Sequence, residues 1–132
     1  GQVLHPQGLD AQIRGSAVMG FGLAAMERYV YDPAYGRPNA KGLYQAKPPT
    51  YLDVPAKLGS HAVTGATDPQ NPVGAKGVGE PIQGAASSAY LSAVSEAMGG
   101  HLFNRVPVVA DMIVNTMAKN PQSYKPLQTN CQ

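Results

Sequence analysis

Cysteine occurs once, at Cys131, which excludes an intrachain disulfide framework and a cysteine-based metal site. Charge is scarce too. Ten Lys+Arg and eight Asp+Glu among 132 residues leave a net charge of +2, and the basic residues form no cluster, which argues against nucleic acid as a partner. No hydrophobic run suits a bilayer: the longest near-apolar stretch, residues 17–26, is about half the required length and is closed by Glu27 and Arg28. Asp10 before it and the glycines within it also make it a poor signal peptide. The histidines His5, His61 and His101 lie far apart without ligand spacing, so no metal ligand is assigned. A Gly-x-Ser-x-Gly elbow, a phosphate-binding P-loop and the Rossmann glycine fingerprint are all missing. The tyrosines do not interleave with basic residues, which argues against single-stranded nucleic acid.

What the chain has in quantity is glycine and proline, 15 and 12 residues. The length fits one domain. Sparse charge combined with so much glycine and proline suits a segment covered by more protein or by a large ligand; a small loop-rich domain is the plainer reading.

The pattern predicts an α+β arrangement of about three helices packed on short strands. A short strand ends at His5-Pro6, and Asp10 then caps a helix over residues 11–29, with Ile13, Ala17, Phe21, Ala24 and Ala25 on one face. Gly15, Gly20 and Gly22 lie inside this helix, each costing about 1 kcal/mol against alanine, which is tolerated where backbone must come close to a neighbour. "YVYDPAYGRPNAKGLYQ" reads as strand, turn, strand, "KPPTYLDVPAKLGS" as extended chain, and "HAVTGA" as a short strand. A further helix carries two stripes, Ala85, Ala89, Ala93 and Ala97 beside Ala86, Tyr90, Val94 and Met98, and stops at Gly99-Gly100. The last helix has Pro107 near its first turn, with Val109, Met112, Ile113, Thr116 and Met117 facing inward. Residues 1–118 form the folded part and residues 119–132 a polar tail.

One loop stands out. "GAKGVGEP", residues 74–81, places glycines around Lys76 and then presents Glu80, one of only three glutamates, against Pro81. Pro81 pre-sets a helix start, so Glu80 lies at the positive end of that helix with Lys76 nearby. The glycines leave backbone N–H groups accessible, a shape suited to an anion or an extended cofactor. Two readings stay open at this point: Glu80 caps the helix while the glycines turn the chain, or the loop is a ligand site. Gln12, a long amide on a glycine-rich helix, is a second candidate for ligand contact.

Taken in order, "HPQGLDAQIRGSAVMGFGLAAMERYVYDP", "PPTYLDVP" and "NPVGAKGVGEP" followed by an alanine-rich helix resemble the C-terminal end of the molybdenum-binding subunit of the xanthine dehydrogenase/aldehyde oxidase family. The resemblance runs to about residue 117, and its most specific element is "KGVGE", supported by "QIRG" some seventy residues earlier. It implies that Glu80 is the catalytic base beside molybdenum, that Gly79 lies against the molybdenum centre, and that Gln12 contacts the pterin. The implied reaction hydroxylates an aldehyde or aromatic N-heterocycle carbon with water-derived oxygen, the carbon's hydrogen leaving as hydride. The implied cofactors are molybdopterin with Mo, in plain or cytosine dinucleotide form, with 2Fe-2S clusters and FAD on partner chains. The implied partners are the remaining large molybdopterin-binding chain, an iron–sulfur subunit and a flavin subunit, in the cytoplasm or the periplasm.

Two departures accompany the resemblance. His5-Pro6 stands where many members carry Asn-Pro, and the loops that hold the rest of the cofactor and the substrate pocket lie outside this sequence. The expectation is therefore a cleaved piece or a separately encoded small subunit, inactive and metal-free alone, which completes an active site in assembly. The competing expectation is a non-catalytic packing subunit whose loop has kept the sequence without the role.

Overall fold

The computed structural model describes residues 1–120; Cys131 and all of the expected 119–132 tail except its first two residues lie outside the described residues. The element order is α1 (Pro6–Ala25), α2 (Leu43–Ala46), a 3₁₀ turn (Tyr51–Asp53), α3 (Pro81–Ala97) and α4 (Ala110–Met117).

The helix expected from residue 11 begins five residues earlier. Pro6 occupies the first turn, where its missing N–H costs nothing, and His5 is the N-cap, its Nδ1 accepting from Gly8 N at 2.7 Å. An imidazole nitrogen thus does what an Asn amide oxygen does at an ordinary N-cap. Asp10 lies inside α1 instead of capping it. Its carboxylate accepts from Arg14 Nε at 2.8 and 2.9 Å and from the Ser60 hydroxyl, which ties the segment around residue 60 to the helix. The Ser60 bond first, and Arg14 second, hold the Asp10 carboxyl below the usual carboxylate range. The helix stops at Ala25, four residues short of expectation, where Met26 N and Glu27 N both close on Gly22 O.

α1 packs against α3, and Gly20 is the point of closest approach. A Cβ there would fall on the Gln83 carbonyl oxygen, 2.8 Å from Ala86 Cβ and 3.1 Å from Ser87 N. Ser87 Oγ donates to Gly20 O at 2.8 Å, and Phe21 meets Tyr90 edge to face at 5.3 Å. Gly22 is equally constrained, lying against Pro49 and the Glu27 carboxylate. Gly15 faces open space, so no close approach explains it. The Ala86, Tyr90, Val94 and Met98 stripe is half-buried, whereas Ala85, Ala89, Ala93 and Ala97 are exposed. Gly99 and Gly100, at φ +69° and +88°, end α3 as expected, their N–H groups returning to Glu96 O and Ser95 O.

Pro107 precedes α4 by three residues and is not in its first turn. The following Val108 is buried and donates its N–H to Ala24 O at 2.7 Å, joining Ala24 and Met112 in a small core. Met112 faces inward as expected, but Met117 is 70% exposed because the helix ends there.

The expected strands do not form among the described residues. The 28–38 segment makes one antiparallel bridge, Tyr31 to Pro38, and residues 1–5 reach the 74–81 loop through Gln2 N to Gly74 O at 2.8 Å. In place of the second strand and the extended segment stand α2 and the 3₁₀ turn. The turn is held by Thr50 N and Thr50 Oγ1 donating to Asp53 Oδ2 at 2.7 and 2.8 Å, which lowers the Asp53 carboxyl.

The surface is the unusual property of this fold. It totals 10050 Å², against about 6,600 Å² for a compact monomer of 13.8 kDa. Tyr51 and Leu52, 92% and 93% exposed, head a long series of uncovered apolar side chains. None of the helices among the described residues is long and apolar enough to cross a membrane.

Candidate functional site

A series of side-chain turns delivers the chain to the loop. Asp68 Oδ1 accepts from Gln70 N and Asn71 Oδ1 from Val73 N, each at 3.0 Å, and Gly74 N returns to Asn71 O at 2.9 Å. Gly74 closes the series at φ +65°, a conformation that glycine takes without strain. Its carbonyl accepts from both Gln2 N and Asp68 N, so the start of the loop is fixed from two sides.

From residue 75 to residue 80 the loop changes character. None of these backbone N–H groups donates to another described residue. Gly77 and Gly79 face open space, with nothing within 4 Å of a Cβ placed on either. Glu80 is the N-cap residue of α3, yet it has helical dihedrals (φ −64°, ψ −17°) and its side chain makes no capping hydrogen bond. The capping reading of Glu80 is therefore removed. Its backbone carbonyl joins the helix by accepting from Gln83 N at 2.9 Å, while its exposed carboxylate stays without a partner among the described residues. Lys76 forms no ion pair with it.

Gln12 and Gly79, nearly seventy residues apart in sequence, are brought together through a residue the sequence did not single out. Gln12 Nε2 donates to Ser16 Oγ at 3.2 Å, and Ser16 Oγ donates to Gly79 O at 3.4 Å. Ser16 is 2% exposed, the one polar side chain in the small core. The available signal was its position one turn after Gln12, on the face of α1 that also carries Gly20.

An apolar cleft of about 420 Å³ adjoins the first half of the loop, with Leu4, Leu9, Ile13, Val63, Val78 and Ile82 in its walls. Lys76 and Gly77 line it too, but Gln12, Gly79 and Glu80 do not, so it neighbours the polar site without containing it. No group of three or more His, Cys, Asp or Glu able to hold a metal occurs among the described residues.

The arrangement offers backbone N–H donors on a loop whose Gly77 and Gly79 face open space, an amide from the neighbouring helix, and an unpartnered carboxylate at a helix N-terminus. These parts fit a large polar cofactor bearing oxygen acceptors. The molybdopterin cofactor-binding domain family matches residues 1–55, the segment that carries Gln12 and Ser16. The 6-hydroxypseudooxynicotine dehydrogenase complex subunit gamma of Paenarthrobacter nicotinovorans is 33% identical over 114 residues, 86% of this chain and 14% of that one. Xanthine dehydrogenase of Drosophila pseudoobscura pseudoobscura is 33% identical over 98 residues, 74% of this chain and 7% of that one. Xanthine dehydrogenase of Calliphora vicina is 34% identical over 84 residues. The chain belongs to the xanthine dehydrogenase family, within its molybdopterin-binding part. It spans about a seventh or less of the length of the curated relatives it matches.

Proposed function

We propose that this chain forms one wall of the molybdopterin site in a molybdenum hydroxylase and supplies its general base, Glu80. The observation that carries this reading is the uncapped, unpartnered Glu80 carboxylate, presented on a loop whose N–H groups from residue 75 to residue 80 have no acceptor among the described residues. The molybdenum cofactor, when bound, supplies redox capacity and activation of a water-derived oxygen for insertion at an aldehyde or aromatic N-heterocycle carbon. Gln12 and the 75–80 backbone hold the pterin end, in plain or cytosine dinucleotide form. Gly79, lacking a side chain, lets the cofactor lie against the loop. Glu80 accepts a proton at its carboxylate as the oxygen becomes nucleophilic, and its freedom from capping keeps both carboxylate oxygens available for that task.

The same reading assigns the uncovered surface. The rest of the large molybdopterin-binding chain covers the exposed apolar side chains, and an iron–sulfur subunit with 2Fe-2S clusters and a flavin subunit with FAD carry electrons away. In the assembled enzyme, strands of that larger chain pair with residues 1–5 and 28–38 and give the domain its α+β character. One relative's name, a dehydrogenase complex subunit, agrees with a multi-subunit enzyme.

The test is metal and pterin analysis of the complex isolated through a tag on this chain. About one molybdenum and one pterin per copy are expected, with neither retained by the chain alone. A stable complex lacking both overturns the reading.

A further inference from the structure

We infer that Ser16 is a positioning residue that locks the Glu80 loop to the Gln12 helix, so that the two halves of the site move as one unit. The inference rests on the proposed roles of Glu80 and Gln12, but the contact itself is independent of them.

A serine hydroxyl has one proton to donate. Inside a helix its ordinary acceptor is the carbonyl four residues back, as Ser88 shows with Gly84 O at 3.1 Å. Ser16 instead directs its proton across 63 residues of sequence to Gly79 O at 3.4 Å, while its oxygen accepts from Gln12 Nε2 at 3.2 Å. Ser16 is 2% exposed, so its hydroxyl has little access to water, while the Gln12 side chain remains exposed. Gly79 immediately precedes Glu80, so the carbonyl held by Ser16 belongs to the peptide unit that leads into the catalytic residue. Beyond the packing of Gly1 against Lys76 and the Glu80 carbonyl bonds that start α3, residues 75–80 have no backbone N–H bond of their own among the described residues.

A second serine secures the same register from the opposite side. Ser87 Oγ on α3 lies 2.8 Å from Gly20 O on α1, one turn beyond Ser16, and donates to it in preference to its own Gln83 O at 3.1 Å. The two bonds run in opposite directions, one from α1 to the loop and one from α3 to α1. Together they prevent α3 and the loop at its head from sliding along α1. The Ser87 bond holds the helix, and the Ser16 bond holds the residue before the carboxylate.

The experiment compares Ser16→Ala, Ser16→Thr and Glu80→Gln in the assembled complex. The readouts are molybdenum and pterin content, melting temperature, kcat and KM, and the pH profile of kcat. Ser16→Ala removes only an oxygen and fits the existing space. It is expected to keep the cofactor content and melting temperature close to wild type while kcat falls between about tenfold and a hundredfold, the cost of a misplaced reacting group. KM changes little, the pH profile of kcat shifts, and Ser16→Thr, which restores a hydroxyl, regains most of the rate. Wild-type kcat and pH profile in Ser16→Ala overturn the inference. So does a rate loss that only tracks lost cofactor or a lowered melting temperature, since that marks a purely structural serine. Glu80→Gln separates this from the underlying reading. If Glu80→Gln turns over normally while Ser16→Ala is slow with full cofactor, the base assignment fails and the lock stands. If Glu80→Gln is inactive and Ser16→Ala normal, the lock fails alone.

Discussion

Replacing Gly20 by alanine should loosen the α1–α3 contact, and the structure supplies the terms. The new Cβ would fall on the Gln83 carbonyl oxygen and lie 2.8 Å from Ala86 Cβ, where ordinary carbon contacts need about 3.5–4.0 Å. The obstructing atoms are mostly backbone, so the helices must part by about 1 Å. That stretches the Ser87 Oγ to Gly20 O bond from 2.8 Å to beyond the usual hydrogen-bond range. Overpacking costs about 1–3 kcal/mol, the broken bond about 1 kcal/mol, and the better helix propensity of alanine returns about 1 kcal/mol. The net is a destabilisation of about 1–3 kcal/mol. Gly15 provides the control within the same helix: nothing lies near its Cβ position, so alanine there should stabilise by up to about 1 kcal/mol. Amide hydrogen exchange over residues 85–97 in the assembled complex reads both changes. Gly20→Ala should speed exchange there by roughly tenfold or more, and Gly15→Ala should not. Equal protection in the two variants would refute the close-approach account.

Two further predictions concern the termini and turns. His5→Ala should destabilise α1 by about 1 kcal/mol in thermal melting, and His5→Asn should not, because either Asn or His supplies the acceptor that Gly8 N needs. Acid should weaken the ties at Asp10 and Asp53, whose carboxyls are held below the usual range by Ser60 and Arg14 and by Thr50. A depressed carboxyl contributes stability above its unfolded value and loses it as pH falls through the folded one, so the effect belongs below about pH 4. Both groups are partly exposed and screened, so the decline should be small, and Asp10→Asn with Asp53→Asn should flatten it. An unchanged decline in that double variant would show that other groups are responsible.

Where periodicity was strong, the sequence was readable. The stripe from Ala86 to Met98, the stop at Gly99-Gly100 and the close-packing glycines Gly20 and Gly22 all carry local signals that the structure uses. The start of α1 was misplaced because aspartate is a commoner cap than histidine, while Pro6 was the stronger signal. The strands failed for another reason: a strand needs a neighbour along its length, and among the described residues 28–38 folds back on itself around one bridge while 1–5 touches Gly74 and Val63 without forming a ladder. Likewise, a stripe identifies which face is apolar without saying what covers it, and Ala85, Ala89, Ala93 and Ala97 lie exposed. At the candidate site, the loop and Gln12 were legible from residue type. That Glu80 does not cap its own helix, and that Ser16 joins Gln12 to Gly79, depend on tertiary contact and were not.

The central claim is that Glu80 is the base of an assembled molybdenum enzyme, and turnover of Glu80→Gln at matched molybdenum content tests it most directly. Glutamine keeps the size and the helix start, since the carboxylate forms no cap to lose. The account predicts full molybdenum and pterin with kcat reduced by about 10²–10⁴. Near-normal turnover with full metal would contradict it and leave the chain a packing subunit.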